Sequence, residues 1–178
     1  MSINIFGEVG KEVRASEVLT QIQAEKGESI EVVIMSPGGS VIEGLAIYDA
    51  LREAAEKGQK IKTSALGMAA SIASIIFMAG DEREVSDNAE LMIHNASADL
   101  YGNKHELKDA IKTLDGMDQK LINIYTDRAG ISLEDVTELL NQETFMSADE
   151  AVNKGFATSK TNTLALVAIH NKQKEPVN

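Results

Sequence analysis

The chain has 178 residues, with 17 basic and 28 acidic side chains for a formal charge of −11. That length suits one domain with a sizeable core, and 43% apolar content places it far from disordered compositions. The acidity and the 4% aromatic content exclude the basic footprint and stacking platforms of a nucleic-acid binder. With no cysteine, disulfides, thiolate metal sites and a cysteine nucleophile are excluded as well. No apolar run reaches the roughly 18 residues a membrane helix needs, and Met1–Ile5 does not read as a secretion signal. A cytoplasmic globular domain is the expectation.

Strand-like and helix-like segments alternate along the chain. Ile3–Phe6 reads as a short strand closed by Gly7, and Val13, Ser16, Leu19 and Ile22 fall at helical spacing before Gly27. Ile30–Met35 is a nearly continuous apolar run, as in a strand covered on both faces. Ser36-Pro37-Gly38-Gly39 ends it, and Val41–Lys57 reads as an amphipathic helix stopped by Gly58. Ile61–Leu66 is a strand expected to break at Gly67, followed by a small-residue helix over Ser71–Ala79. Leu91–His94 is another short strand. Asn103–Arg128 is a long charged helix, with Leu107, Ile111, Leu114, Met117, Leu121 and Ile124 along one side. Ser132–Leu140 and Ser147–Lys154 are helices whose opening serines have an acidic residue three positions later, the capping-box spacing. The alternation predicts an α/β fold for residues 1–160, with 161–178 as a C-terminal strand and frayed tail.

Three places could carry chemistry. In Gly67-Met68-Ala69-Ala70-Ser71-Ile72-Ala73-Ser74, a glycine turn leads to a serine at a helix start. The helix dipole and unpaired N–H groups there suit a nucleophile and a developing oxyanion. The same segment also reads as a close-packing stripe with Ser71 as a simple N-cap. The Gly38-Gly39 pair can aim backbone amides at an anion, or can be an ordinary turn. His94, emerging at a strand end, has a pKa suited to general-base work, although a hydrogen-bonded turn histidine looks the same. His105 and His170 sit in charged or terminal surroundings. The His105-Glu106 pair lacks the second histidine of a zinc-protease helix, so neither a metal nor a cofactor is expected.

Taken in order, Ser-Pro-Gly-Gly, Gly-x-Ala-Ala-Ser-x-x-Ser, Met-Ile-His and Phe-Met-Ser-Ala-x-Glu-Ala-x-x-x-Gly resemble the ClpP serine peptidases from about Ile3 to Gly155. The pattern also resembles the phage and prophage branch of that family, which serves capsid maturation. The resemblance implies a ClpP/crotonase-type α/β superhelix of ββα units, with a protruding strand–helix handle over residues 99–130. It implies Ser71 as nucleophile, His94 as base, and the N–H groups of Gly38 and Ile72 as oxyanion donors. Glu143 stands where the family has the triad aspartate, one methylene longer. The substrate would add as an extended strand beside Gly39, Ser40 and Val41 on one side and Asn95 and Ala96 on the other. A homo-oligomer is implied, with a ring of seven. Asn141 and Gln142 replace the acidic–Arg pair that joins rings, which leaves the double ring open. The family's axial loop has no counterpart before Ile3, so the expected activity is an endopeptidase of unfolded or phage structural polypeptides. It would work without an unfoldase ATPase, in a bacterial cytoplasm or a phage prohead. A crotonase-like acyl-CoA enzyme and an inactive scaffold of the same fold are the competing readings.

Overall fold

The computed structural model describes residues 2–162. Five strands form a parallel path in the order β1 (Ser2–Phe6), β2 (Ser29–Ser36), β3 (Lys60–Ala70), β4 (Glu82–Ser86) and β7 (Ser159–Thr161). The shorter β5 (Glu90–Ile93) pairs with the end of β3, and β6 (Thr144–Met146) lies antiparallel on β5. The helices are α1 (Ala15–Ala24), α2 (Val41–Glu56), α3 (Ile72–Met78), α4 (Lys104–Ala129), α5 (Leu133–Asn141) and α6 (Ala148–Asn153). This is the expected mixed α/β class, a parallel sheet flanked by helices.

Alternation along the strands decides which face is covered. In β2, Ile30, Val32, Ile34 and Ser36 are buried, whereas Met35 on the other face is 48% exposed. The expectation of cover on both faces is therefore corrected: one face is sealed and the other is partly open. That second face carries charge at matching positions, with ion pairs Lys60–Glu82 and Lys62–Glu84 bridging β3 and β4. The core lies on the sealed face, where Ile47 and Leu51 of α2 and every residue of α3 are buried.

Gly67 does not break β3. It takes φ +65° inside the strand, and the two halves serve different neighbours. Lys62–Ala65 pairs with β4, while Met68–Ala70 pairs with β5. A glycine supplies that bend because a left-handed residue turns the strand without a Cβ clash.

The helix caps follow the sequence. Ser132 and Ser147 accept from the N–H groups of Asp135 and Glu150, and Asn103 forms a capping box with Glu106. The handle is present as α4, but its strand is not formed: residues 94–103 pair with no strand among the described residues. A ladder needs a second backbone, and no described strand lies alongside. Toward its end α4 buries Leu121, Ile122 and Tyr125, whereas Ile111 near its start is 54% exposed. The C-terminal strand begins earlier than expected, at Ser159, and the proposed tail lies outside the described residues. Among the described residues, no helix is long and apolar enough to cross a membrane.

Candidate active site

Three neighbouring parallel strands deliver the three motifs to one edge of the sheet. Ser36-Pro37-Gly38-Gly39 follows the carboxyl end of β2, Ser71 follows β3 and His94 follows β5. Crevices at the carboxyl ends of parallel strands are where such sheets bind their ligands. The antiparallel β6 adds a fourth position to the same edge. Its ladder on β5 ends at the Ile93–Thr144 pair, one residue before His94 in one strand and one residue after Glu143 in the other.

Ser71 is not an ordinary N-cap. Its side chain makes no capping bond, and its backbone sits at φ +55°, ψ −130°, a conformation that costs a non-glycine residue free energy. Its N–H donates to Met92 O at 2.8 Å, and its carbonyl accepts from Ser74 N–H at 3.0 Å, so the surroundings hold the strain. The Oγ instead meets His94 Nε2 at 2.8 Å. Serine and imidazole are thus in hydrogen-bond contact at the positive end of α3, where first-turn N–H groups lack intrahelical partners. The Ile72 N–H makes no hydrogen bond among the described residues.

The opposite end of α3 is held by cations. Arg128 Nε donates to Met78 O at 2.9 Å, Arg52 Nη1 to Ala79 O at 2.8 Å, and Arg83 Nη1 to Gly80 O at 3.0 Å. Arg83 is only 7% exposed and also donates to the carbonyls of Phe156, Gly155 and Arg128. Burial pushes its guanidinium down to about 10, with the nearby Arg128 charge adding to the effect. Positive charge suits a helix C-terminus, and these donors occupy carbonyls the helix cannot pair itself.

The glycine turn packs directly on the serine. A Cβ on Gly38 would stand 2.6 Å from Ser71 Cβ and 2.9 Å from Ala70 O, and φ there is +105°. The Gly38 N–H is engaged, donating to Ser36 Oγ at 3.2 Å. Val9 clamps the turn from outside: its N–H donates to Gly38 O at 2.7 Å and its carbonyl accepts from Ser40 N–H at 2.8 Å. In a parallel bridge of this kind the Gly39 N–H faces away from Val9, and it carries no bond among the described residues.

The remaining expected positions fall unevenly. Glu143 is exposed, takes φ +51°, and makes no hydrogen bond to His94. Ser71 and Glu143 are the two non-glycine residues with positive φ among the described residues. Asn95 Nδ2 donates to Asn141 Oδ1 at 2.8 Å, and Ala96 N–H to Asp118 Oδ1 at 2.6 Å, so both are already engaged within the chain. A cavity of about 390 Å³ opens beyond them, lined by Gly39, Ser40, Val41 and Ile42 on one wall and Ser97, Ala98 and Leu100 on another. Ala110, Thr113, Leu114 and Met117 of α4 close it. The lining from the segment after His94 thus begins at Ser97 rather than at Asn95. Among the described residues, no cluster of His, Asp or Glu could hold a metal ion.

Two side chains at the two ends of α3 are not singled out by the sequence. Tyr125 follows Met117 and Leu121 at spacing four and is fully buried, with its hydroxyl 2.7 Å from Ser74 Oγ. Arg83 stands in a segment charged enough to read as loop.

This edge, with a strained serine on a buried helix, an imidazole in contact and a glycine turn alongside, has the layout of an α/β serine hydrolase. The family model of the Clp protease matches residues 1–161. The chain belongs to the Clp protease family. It is 34% identical over 130 residues to the "ATP-dependent Clp protease proteolytic subunit" of Deinococcus radiodurans. That match covers 72% of the chain and spans 62% of the relative's length. Among solved structures, a ClpP1 mutant from Listeria monocytogenes superposes with TM-score 0.80, covering 90% of this chain and 91% of that one, at 22% identity. The likeness is one of fold.

Proposed function

We propose that the chain is a serine endopeptidase acting on unfolded polypeptides. The observation that carries this reading is the 2.8 Å contact between Ser71 Oγ and His94 Nε2 at the start of α3. In the proposed cycle, His94 Nε2 takes the Ser71 proton as Oγ bonds to the scissile carbonyl carbon. The oxygen of that carbonyl becomes an oxyanion facing Ile72 N–H and the glycine turn. Because Gly38 N–H is occupied by Ser36, the turn's donor in this reading is the adjoining Gly39 N–H. Collapse breaks the C–N bond, and the imidazolium hands its proton to the leaving amine. Water then attacks the ester with His94 again as base, releasing the acid product and restoring the serine. Glu143 is the orienter in this scheme: it directly precedes the Thr144 that pairs with Ile93, the neighbour of His94, and the role requires its carboxylate to turn toward Nδ1.

The cavity supports a preference for an apolar side chain beside the cleaved bond, since Val41, Leu114 and Met117 line it. The reading takes its substrates as already unfolded and admitted without an ATP-driven partner, with prohead structural proteins as one class to assay. It includes a homo-oligomeric ring built through α4, supported by the exposure of Ile111 (54%) and Tyr101 (95%) along and before that helix.

A fluorophosphonate probe tests the chemistry: Ser71 Oγ bonds to phosphorus, fluoride leaves, and the proton passes to His94. Labelling and casein cleavage, both lost in Ser71→Ala, are expected; a thioester-handling enzyme or an idle scaffold would show neither. Ile111→Asp, which leaves the cavity lining untouched, is expected to dissociate the particle in analytical ultracentrifugation. Degradation of a folded reporter and of its unfolded form, with and without an unfoldase and ATP, tests independence from that partner.

A further inference from the structure

Tyr125 belongs to α4, is 1% exposed, and places its hydroxyl 2.7 Å from Ser74 Oγ. Ser74 Oγ in turn lies 2.6 Å from the carbonyl oxygen of Ser71. The donors follow by elimination. A carbonyl only accepts, so Ser74 gives its single proton to Ser71 O, and the bond from Tyr125 must then run from phenol to Ser74. Burial raises the Tyr125 pKa far above its ordinary value, against a smaller lowering by Ser74, which keeps the phenol a donor at any working pH.

The direction of that chain matters because of what shares the Ser71 carbonyl's plane. Ser71 C=O and Ile72 N–H belong to one trans peptide unit and point in opposite directions. Whatever fixes the carbonyl therefore aims the amide. At φ +55°, ψ −130° the serine would not hold that plane unaided. Ser71 N–H is tied to Met92 O, and the carbonyl takes two donors from Ser74, one from backbone and one from side chain.

We propose that Tyr125 and Ser74 are positioning residues for the oxyanion site: the chain Tyr125 Oη–H, Ser74 Oγ–H, Ser71 C=O holds the Ser71–Ile72 peptide so that Ile72 N–H faces the developing negative charge. The proposal rests on the peptidase reading of Ser71. It goes further in assigning a role to a hydroxyl on the handle helix, outside the reacting groups. The aromatic ring has a separate packing role against Phe156, with centroids 5.6 Å apart, and Tyr125→Phe preserves that role while deleting the hydroxyl.

The test compares Tyr125→Phe, Ser74→Ala, their double variant and Ser74→Thr in the full chain. Readouts are kcat and KM on a fluorogenic peptide, affinity for a peptide aldehyde, and affinity for a product peptide. The aldehyde adds Ser71 Oγ across its carbonyl to give a hemiacetal whose oxygen occupies the oxyanion site, whereas the product peptide only fills the groove. Removing a whole oxyanion donor costs about 10²–10³ in kcat, so mis-aiming one is expected to cost about 10- to 100-fold. KM and product affinity stay within about twofold, aldehyde affinity falls in step with kcat, and the double variant is no worse than either single one. Ser74→Thr, which keeps the hydroxyl, recovers the rate. Wild-type kcat in Tyr125→Phe overturns the role, as do fully additive losses or equal losses of aldehyde and product affinity. Fluorophosphonate labelling of the wild type at Ser71 keeps the two failures apart. A labelled wild type beside an unimpaired Tyr125→Phe refutes the positioning role alone; an unlabelled wild type refutes the peptidase reading and this role with it.

Discussion

Ser71→Gly should be more stable than Ser71→Ala, reversing the usual order of these two residues. At most sites glycine is the worse choice by about 0.4–1 kcal/mol, because it frees the unfolded chain. At φ +55°, ψ −130° the native backbone of Ser71 is one that a residue with a Cβ holds at a cost of about 1–3 kcal/mol. Alanine keeps the Cβ and the strain; glycine removes both. Subtracting the entropic term leaves glycine ahead by about 1 kcal/mol, within bounds of about 0 to 2.6. For a chain of 178 residues that is a difference of about 2–4 °C in Tm. Both variants lose the 2.8 Å bond to His94, so that loss cancels in the comparison. The measurement is a pair of urea titrations at one protein concentration, because any self-association adds a mass-action term to apparent stability. Both variants should be inactive. An alanine variant clearly more stable than the glycine variant would falsify the claim that the serine is held in strain.

Two further consequences concern the far end of α3 and its surroundings. Arg83→Met should cost about 3–5 kcal/mol, because it leaves the carbonyls of Phe156, Gly155, Gly80 and Arg128 without the guanidinium they share; denaturant unfolding reads this directly. Burial opposes ionisation of Asp81, but Arg52, the Ile61 N–H and Arg128 outweigh it and hold the carboxyl below its usual range. A depressed folded pKa gives stability that is present above the unfolded value of about 3.9 and lost as pH falls through the folded one. Acid unfolding monitored below about pH 4 should therefore be less steep in Asp81→Asn, and an unchanged acid limb removes Asp81 from that role.

How far the residues alone reveal this architecture depends on whether a residue's role is local. Caps at Ser132 and Ser147 are settled within four residues, and both form as the spacing suggests. Ser71 and His94 each stood out singly at the end of a predicted strand, and only the family resemblance joined them; the convergence of parallel strand ends on one edge is what brings them to 2.8 Å. β4 was not legible: Glu82-Arg83-Glu84 alternates charge, and only the neighbouring Lys60 and Lys62 of β3 make those side chains tolerable in a sheet. Gly67 reads as a stop until β5 appears beside Met68–Ala70, since a strand can bend at glycine when a new partner takes up its backbone. Tyr125 shares the helical spacing of Leu121, which says it is buried, but nothing local says that a serine 51 positions away meets its hydroxyl. Likewise, no motif discloses that Ser36 occupies the Gly38 amide, which moves the proposed turn donor to Gly39.

Glu143 tests whether register can be read as chemistry. It is the last residue before β6, its φ is +51°, and the ladder ends one residue short of it and of His94, with no hydrogen bond joining the two. If the strain served only the turn from α5 into β6, glycine would do as well or better at this position, and the carboxylate would be dispensable. If the strain serves to present a carboxylate to the imidazole, the two functions separate by substitution. Glu143→Gly should then unfold at a temperature equal to or above that of the parent, because it relieves the left-handed backbone. It should nonetheless lose turnover, since no group remains to hold the tautomer and offset the imidazolium charge. Glu143→Gln keeps the shape and the strain, and should lose about 10²–10⁴ in kcat, the upper figure being that of the aspartate-to-asparagine change in trypsin. The two variants thus part in stability and agree in rate. A glutamine variant with near-parental kcat would mean that His94 works on Ser71 without a carboxylate, and that the strain at Glu143 belongs to the turn alone.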